Sequence, residues 1–413
     1  MFKTILAGFE PLKQANFRTY ILGQAVSLIG TWLQVTAQSW VVWELTKSEA
    51  SLGMVAMLNA LPTLFLSPWA GVLADRLNRQ KLLVFTQAGL MLLAALLAYL
   101  VQFGLISIWH VYLLSFIGGI FGTLDFPTQS AFLGDLAGLS NVRKAVNMNA
   151  MFFQASRMIG PALAGWIIAS WGTATAFWLN SVSFLVVIAS ILMVKVAKVE
   201  HKVRTNSIFQ DLREGVAYLA KQPRMQDLLF LSITITAFAL SLFSVMPAFA
   251  AEQLGGDAKT LGFLMGASGA GALVSVVVIS PVVQSLQRVG RSMLLSLVWS
   301  GAWIILFSRA TTVPFAMVCL FLLSFSLPLI IAMSLGLIQI LAPAEMRARL
   351  LSLFTMISFG LQPISSIIAG NLSEYLGVAA TALINGSLVL LVVACLAFFR
   401  NGLWTWQHQP HKA

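Results

Sequence analysis

Charged residues are scarce in this sequence. Only 9% of the 413 residues are Asp, Glu, Lys or Arg, whereas 59% are hydrophobic, and the mean hydropathy is +0.88. A soluble domain needs more polar surface than this composition can supply. The chain also lacks the alternation of apolar and polar residues, over about ten positions, that marks membrane barrel strands. Its apolar runs have the length of membrane-crossing helices, so the composition predicts an all-α membrane protein.

Other absences exclude further classes of protein. The two cysteines, Cys319 and Cys395, lie in apolar runs, which argues against a disulfide framework or a thiolate metal site. The four histidines are too scattered to bind a metal together, and no cofactor is predicted. The sequence has no Gly-x-x-x-x-Gly-Lys-Ser/Thr segment, which argues against ATP as an energy source. A membrane enzyme would need clustered acids, histidines or an activated nucleophile, which the sequence does not offer.

Twelve apolar runs are predicted to span the membrane. They lie at 17–43, 51–73, 82–103, 108–134, 146–170, 172–196, 226–251, 260–285, 292–309, 313–341, 350–371 and 378–399. With both termini in the cytoplasm, 21 of the 25 Lys and Arg residues are cytoplasmic, and only Lys47, Lys259 and Arg309 lie on the opposite side. This asymmetry predicts the orientation. It also accounts for the net charge of +11 without a nucleic-acid partner.

The longest polar stretch divides the chain into two blocks of six spans. We predict an N-terminal six-helix bundle at 1–196, a cytoplasmic linker at 197–225, and a C-terminal six-helix bundle with a short cytoplasmic tail at 226–413. Within the linker, apolar residues recur at helical spacing and predict an amphipathic helix. That helix either lies at the membrane interface or is a solvated connector.

The two blocks have corresponding residues in a common order. Gly53 near the start of the second span corresponds to Gly262 in the eighth, and Gly165 in the fifth corresponds to Gly370 in the eleventh. These offsets are about half the chain. Parallel six-helix repeats are typical of transporters that hold their substrate between the halves near mid-membrane.

The strongest motif follows the second span and reads Gly71-Val-Leu-Ala-Asp75-Arg76-Leu-Asn78-Arg79. A glycine there would let another helix approach closely, and the arginines could pair with acids. The motif resembles the loop signature of the major facilitator superfamily, Gly-x-x-x-Asp-Arg-x-Gly-Arg, with Asn78 at the second glycine. Asparagine adopts left-handed backbone angles more readily than most residues, so the turn is expected to persist.

That resemblance implies a fold and a role for the loop. The fold would have twelve transmembrane helices in two six-helix bundles related by a pseudo-twofold axis. Gly71, Asp75, Arg76 and Arg79 would form a cytoplasmic latch between the two halves during alternating access. The alternative is a set of ordinary basic loop residues that stop translocation.

A second motif lies in the fifth span and reads Arg157-Met-Ile-Gly160-Pro161-Ala-Leu-Ala-Gly165. It resembles the Gly-Pro-x-x-Gly-Gly signature of exporters in this superfamily, with Ala164 in place of one glycine. Gly160, Pro161 and Gly165 are predicted hinge or packing residues. The segments 27–34 and 125–129 resemble a bacterial branch that includes enterobactin exporters and macrolide efflux proteins. This resemblance implies efflux from the bacterial cytoplasmic (inner) membrane.

Two charged residues are predicted to lie within spans. Asp125 and Arg157 lie roughly 14 and 17 Å from the cytoplasmic ends of consecutive antiparallel helices, so they could form an ion pair. Charges within the membrane are costly and functional by default. We predict that Asp125 binds the driving proton, with Arg157 favouring its ionised form. The alternatives are a permanent structural ion pair and an aspartate that only faces the cytoplasmic vestibule.

A stripe of polar residues follows the first span at spacings of 3, 4, 3 and 4, which places it on one helix face. Its members are Gln24, Ser27, Thr31, Gln34 and Gln38. A polar stripe is costly in lipid, so it faces either a cavity or other helices, and we predict that it lines the substrate cavity. Further predicted cavity residues are Asn149, Gln154 and Gln362.

Together these features predict a secondary active transporter. The leading prediction is a proton-coupled exporter of small organic molecules, siderophore-like or drug-like, that works as a monomer by alternating access. An importer or a lysophospholipid-moving transporter of the same fold stays open as an alternative. So does a non-transporting membrane sensor.

Overall fold

The computed structural model describes residues 10–138, 141–194, 208–279, 289–343 and 346–399. Helices account for most of these residues, and no β-strand occurs among them. The N-terminal helices are α1 (Ala15–Thr46), α2 (Glu49–Arg76), α3 (Arg79–Gln102), α4 (Ile108–Ala137), α5 (Val142–Trp171) and α6 (Thr173–Met193). The linker helix is α7 (Ile208–Ala220). The C-terminal helices are α8 (Pro223–Thr234), α9 (Ala258–Val274), α10 (Val289–Ser308), α11 (Val313–Leu341), α12 (Arg347–Gly360), α13 (Gln362–Leu376) and α14 (Val378–Phe399).

Helix α8 forms only the first part of its membrane span. The chain continues as π-helix at Ile235–Leu240, 3₁₀-helix at Ser241–Val245 and π-helix again at Phe249–Gln253. Another π-helical segment of five residues, Ser275–Ile279, follows α9. Wide and tight turns of this kind change the face that a helix presents and are common near functional sites.

Twelve helices of the described part are long enough to cross a membrane. Ten are long and apolar enough to cross a membrane, among them Leu353–Leu376, which joins α12 to α13. The other two are α1, with 32 residues, and α5, with 30 residues. Both have sufficient length, and both carry polar residues that lower their hydropathy. This confirms the predicted all-α membrane fold.

Local sequence explains where helices begin. The Asn78 side chain accepts a hydrogen bond from the Lys81 backbone N–H at 3.0 Å and caps the start of α3. Ser107 begins α4 with a capping box, in which His110 Nδ1 bonds back to the Ser107 backbone N–H at 3.1 Å. Side chains that satisfy first-turn N–H groups stabilise a helix by about 1 kcal/mol.

The chain forms two compact units that do not coincide with the two sequence blocks. The first unit contains α1, α2 from Leu58 onward, α3 to α6, and residues Asp257–Gly266. The second contains Ser48–Met57, α7, α8, the remainder of α9 and α10 to α14. The start of α2 therefore belongs to the second unit and the start of α9 to the first. The predicted boundaries instead assign α2 to the N-terminal bundle and α9 to the C-terminal bundle. The division into six-helix bundles at 1–196 and 226–413 remains a prediction.

The linker helix α7 packs on protein. A methyl group added at Gly215 would lie 3.4 Å from the Leu353 side chain of α12, and Leu219 is buried. Val216 remains 50% exposed. Part of the apolar face is thus covered by protein within the second unit. The two predicted environments were the lipid interface and solvent, and neither is a protein surface. Residues 197–207 of the linker lie outside the described residues.

A hydrophobic core fills the first unit and fixes the helices around the candidate site. Phe17, Tyr20 and Ile21 of α1 pack with Leu83 of α3 and Phe132 of α4, all at most 1% exposed. The Tyr20 and Phe132 rings meet edge to face at 5.1 Å. Close packing of this kind leaves little freedom for α3 and α4 to rotate about their axes.

Candidate functional site

The candidate site is centred on the carboxylate of Asp125. This residue lies in the middle of α4, two positions before Pro127, and is 9% exposed. Helix α3 packs beside it and contributes Thr86 and Gln87, which are 0% and 3% exposed. The site therefore lies within one compact unit, between two neighbouring helices.

Neutral hydrogen-bonding groups surround the Asp125 carboxylate. Its Oδ1 atom lies 2.6 Å from Thr86 Oγ1 and 2.9 Å from Gln87 Nε2. Its Oδ2 atom accepts a longer bond of 3.3 Å from Gln129 Nε2, one turn further along α4. Among the described residues, no lysine or arginine contacts this carboxylate. Among the described residues, Tyr20 of α1 is also near enough to interact with it electrostatically.

Arg157 lies elsewhere in the same unit. Its guanidinium lies over the Trp32 ring, 5.6 Å from the ring centroid, and Trp32 in turn meets Phe153 edge to face. The structure therefore does not bring Asp125 and Arg157 together as the expected ion pair. The depth estimate was compatible with a pair, but contact also depends on how each helix is rotated, and Arg157 faces α1.

The polar stripe of α1 mostly faces other helices of its own unit. Gln24 and Ser27 are 3% and 2% exposed. Gln34 accepts a hydrogen bond of 2.6 Å from Asn180 of α6, and Gln38 donates one of 2.7 Å to Ser115 of α4. Thr31 donates to the Ser27 carbonyl. Of the two environments that we considered, these bonds favour helix contacts over an open cavity.

The other predicted cavity residues are partly exposed. Asn149 and Gln154 lie on α5, and Gln362 begins α13 after the break between α12 and α13. The Oε1 atom of Gln154 is buried and has no hydrogen-bond partner among the described residues. A role of these three residues in substrate binding remains a prediction.

The loop motif between α2 and α3 forms an ion pair inside the first unit. Arg79 Nη1 lies 2.8 Å from both carboxylate oxygens of Asp135 near the end of α4, and Arg79 Nε donates to the Ala74 carbonyl at 3.2 Å. The two side chains are only 12% and 14% exposed. This pair ties the start of α3 to the end of α4.

The remaining motif residues differ from the expectations in two respects. A methyl group at Gly71 would meet no described atom within 4 Å, so the close helix approach expected there is absent from the described part. Asn78 has φ −64° and ψ 111° and acts as a helix cap, so left-handed geometry is not what retains the turn. Arg76 is exposed, and the side chain of Asp75 lies outside the described part.

The glycines of the fifth-span motif are packing positions. A methyl group at Gly160 would lie 2.6 Å from Trp32 Cβ, and one at Gly165 would lie 2.7 Å from the Ala258 carbonyl oxygen of α9. Conversely, one at Gly262 would lie 2.5 Å from the Pro161 carbonyl oxygen. Helices α5 and α9 thus meet backbone to backbone within the first unit.

An equivalent contact occurs within the second unit. A methyl group at Gly53 of α2 would lie 2.5 Å from the Ser366 carbonyl oxygen and 3.2 Å from Gly370 Cα of α13. Near the same point, Glu374 accepts hydrogen bonds from Ser48 Oγ at 2.7 Å and from the Ala50 N–H at 3.0 Å. Helices α5 and α9 therefore cross at Gly165 and Gly262, and helices α2 and α13 cross at Gly53 and Gly370. These are the four glycines that are matched between the two sequence blocks.

Four side chains that contact the predicted site residues are not themselves among the predicted ones: Thr86, Gln87, Gln129 and Asp135. Gln129 could have been found, because it lies four residues after Asp125 on the same helix. Asp135 lies one residue beyond the predicted span, which ends at 134, whereas the helix continues to Ala137. Thr86 and Gln87 carry no local signal, since their partner is on another helix.

Comparison with known proteins identifies the family of the chain. The family model described as "Transmembrane secretion effector", within the major facilitator superfamily, matches residues 6–412. The Staphyloferrin A transporter of Staphylococcus aureus is 25% identical over 264 residues, covering 63% of this chain and 66% of the relative, slightly less than two thirds of its length. The multidrug efflux pump Tap of Mycolicibacterium fortuitum is 22% identical over 382 residues, covering 90% and 92%.

Solved structures show the same fold. The crystal structure of the nucleoside transporter NupG covers 94% of this chain and 99% of its own, with a TM-score of 0.72 at 14% identity. At that identity the likeness concerns the fold alone.

Proposed function

Because the chain belongs to the transmembrane secretion effector family of the major facilitator superfamily, we propose that it is a secondary exporter of small organic molecules driven by the proton gradient. Asp125 is the residue that binds the coupling proton. The observation that carries this proposal is a buried carboxylate within a membrane span, to which the described residues donate only neutral hydrogen bonds.

The energetics of that carboxylate support exchange between two states. An ionised carboxylate away from water loses several kcal/mol of solvation. Hydrogen bonds to a charged group return about 1.5–3 kcal/mol each, and the 3.3 Å bond from Gln129 contributes least. Without a fixed positive partner, binding a proton removes the remaining penalty. A group balanced in this way can take up and release a proton as its surroundings change.

Efflux of siderophore-like or drug-like molecules is the proposed direction and substrate class. The supporting observations are the match to the family and the siderophore and multidrug transporters among the relatives. Arg157, whose guanidinium lies over Trp32, is still proposed to be a functional charge within a span. It is not proposed to be the partner of Asp125. The alternative functions are an importer, a lysophospholipid-moving transporter and a membrane sensor that transports nothing.

The proposed setting is the bacterial cytoplasmic membrane, with both termini in the cytoplasm. The asymmetry of Lys and Arg supports this orientation. In the same setting, Gly71, Asp75, Arg76 and Arg79 are proposed to latch the cytoplasmic side, and the protein is proposed to act as a monomer.

The test is flux in vesicles that contain the purified protein. Asp125→Asn keeps the size of the side chain and cannot release a proton, so export driven by an imposed pH gradient should be abolished while substrate binding persists. Glu44→Gln is the matched control, because it removes an exposed carboxylate of α1 whose partner is the Trp40 indole N–H. A siderophore, a macrolide and a lysophospholipid should be tested in parallel. Gradient-driven export at the wild-type rate in Asp125→Asn would exclude this aspartate as the coupling group.

A further inference from the structure

The hydroxyl group of Thr86 has more hydrogen-bond acceptors than hydrogens. Its Oγ1 atom lies 2.6 Å from Asp125 Oδ1 and 3.0 Å from the Leu83 carbonyl oxygen of its own helix. A threonine hydroxyl carries one hydrogen and can donate once, and a carbonyl oxygen or an ionised carboxylate can only accept. With Asp125 ionised, only one of these two contacts is a hydrogen bond.

Both contacts become hydrogen bonds when Asp125 carries a proton. The carboxyl group then donates from Oδ1 to Thr86, and Thr86 donates to the Leu83 carbonyl. The separation of 2.6 Å is within the usual range for an O–H···O bond. Thr86 is 0% exposed, so bulk water does not compete for either position.

We propose that Thr86 is the positioning residue that accommodates both protonation states of Asp125 by rotating its hydroxyl hydrogen. When a proton from the aqueous phase binds Oδ1, the Thr86 hydrogen turns from Asp125 to the Leu83 carbonyl. On release it turns back. One O–H bond forms or breaks at Asp125, and no electrons are transferred. This inference rests on the proposed function, in which Asp125 binds the coupling proton.

The surroundings of Asp125 contain few competing charges in the described part of the chain. Tyr20 of α1 interacts with Asp125 electrostatically, and its buried hydroxyl has no hydrogen-bond partner among the described residues. On α3 and α4, Arg79 and Asp135 pair with each other. Gln87 and Gln129 are not titratable. Thr86 is therefore the neighbour whose hydrogen can report the state of the carboxyl group.

The test is infrared spectroscopy of the purified full-length protein across a pH series. The carbonyl stretch of a protonated carboxyl group should be present in the wild type and absent in Asp125→Asn. Thr86→Val should move this band and shift its titration midpoint upward by about 0.5–1 pH unit, because the bond lost from the ionised form is charge-assisted and about twice as strong as a neutral one. Thr86→Ser should preserve both the band position and the midpoint.

Three further variants keep the test decisive. Thr86→Ala also removes the hydroxyl and serves if the valine variant folds poorly. Thr128→Val is the matched control, since Thr128 is a buried threonine of α4 whose hydroxyl donates to the Leu124 carbonyl of its own helix. Tyr20→Phe removes no hydrogen bond to Asp125 among the described residues and should therefore shift the midpoint less than Thr86→Val does. An unmoved band and midpoint in both Thr86 variants would overturn the inference, as would the lack of any band that depends on Asp125.

The two proposals can fail separately. Export by Asp125→Asn under a pH gradient would remove the coupling role, whereas the infrared titration reports Thr86 without any transport. A normal coupling defect in Asp125→Asn together with no spectral response in Thr86→Val and Thr86→Ala would leave the proposed function intact and remove Thr86 from it.

Discussion

The contact between α5 and α9 allows a packing prediction with a worked magnitude. A methyl group at Gly165 would lie 2.7 Å from the Ala258 carbonyl oxygen and 2.9 Å from Lys259 Cα. Ordinary contact begins at 3.4 Å, so the helices would have to separate by 3.4 − 2.7, about 0.7 Å. Both opposing atoms belong to the backbone, so no side chain can rotate away.

The expected size of the effect follows from two opposing terms. Overpacking of this kind costs about 1–3 kcal/mol, while alanine is favoured over glycine in a helix by about 1 kcal/mol. Gly122→Ala is the matched control, because a methyl group there, inside α4 of the same unit, meets no described atom within 4 Å. The helix term cancels between the two variants, so Gly165→Ala should be less stable than Gly122→Ala by about 1–3 kcal/mol.

Unfolding in detergent, followed by tryptophan fluorescence, measures this difference. Gly262→Ala places its methyl group against the same interface, 2.5 Å from the Pro161 carbonyl oxygen. Once the helices have moved apart for one methyl group, the second should cost less, so the double variant should lose less stability than the two single variants added together. Equal stability of Gly165→Ala and Gly122→Ala, or strict additivity in the double variant, would refute the reasoning.

Three other predictions follow from the described contacts and the charge distribution. Arg79→Gln should reduce the yield of folded protein. The double variant Arg79→Asp/Asp135→Arg, which exchanges the two charges, should restore part of that yield. A yield no better than that of Arg79→Gln would argue against the ion pair between Arg79 and Asp135. Asn78→Ala should destabilise the protein by about 1 kcal/mol and Asn78→Gly by only a few tenths, as measured by thermal unfolding; equal losses would contradict the capping role. In a cysteine-free background, Glu214→Cys should react with a membrane-impermeant label only from the cytoplasmic side and Gly256→Cys only from outside, whereas labelling of both in intact cells would overturn the orientation.

Some features of this protein follow from sequence and others depend on how the helices are rotated. Apolar length and the placement of Lys and Arg predict the spans and their orientation, because both depend on local composition. Asp125 could be identified as a buried acid for the same reason. Its partners could not, since Thr86 and Gln87 face it only after α3 and α4 have packed at one particular rotation. The sequence gives the depth of Arg157 along its helix but not its direction around that helix, and its direction places the guanidinium over Trp32.

Local chemistry was also open to more than one interpretation. Asn78 was expected to act through left-handed backbone angles, but asparagine is equally a preferred helix cap, and Lys81 supplies the N–H that it binds. The π-helical turns at Ile235–Leu240 could not be predicted, because Thr236 is the one polar residue in this segment and a single residue sets no periodicity. The sequence indicates that the glycines of the two blocks occupy matched positions. Only the structure shows which of these glycines contact each other.

The packing of α2 on α13 has a consequence for how the chain is made. Gly53 meets Gly370, which is synthesised 370 − 53, or 317, residues later. At about 5–20 residues per second, the ribosome needs roughly 16–63 seconds to deliver that partner. During this interval the first turns of α2 lie in the membrane with their glycine face uncovered. A chaperone or insertase that shields small-residue helix faces would act in this window, and slowing translation after residue 57 should increase degradation of the nascent protein.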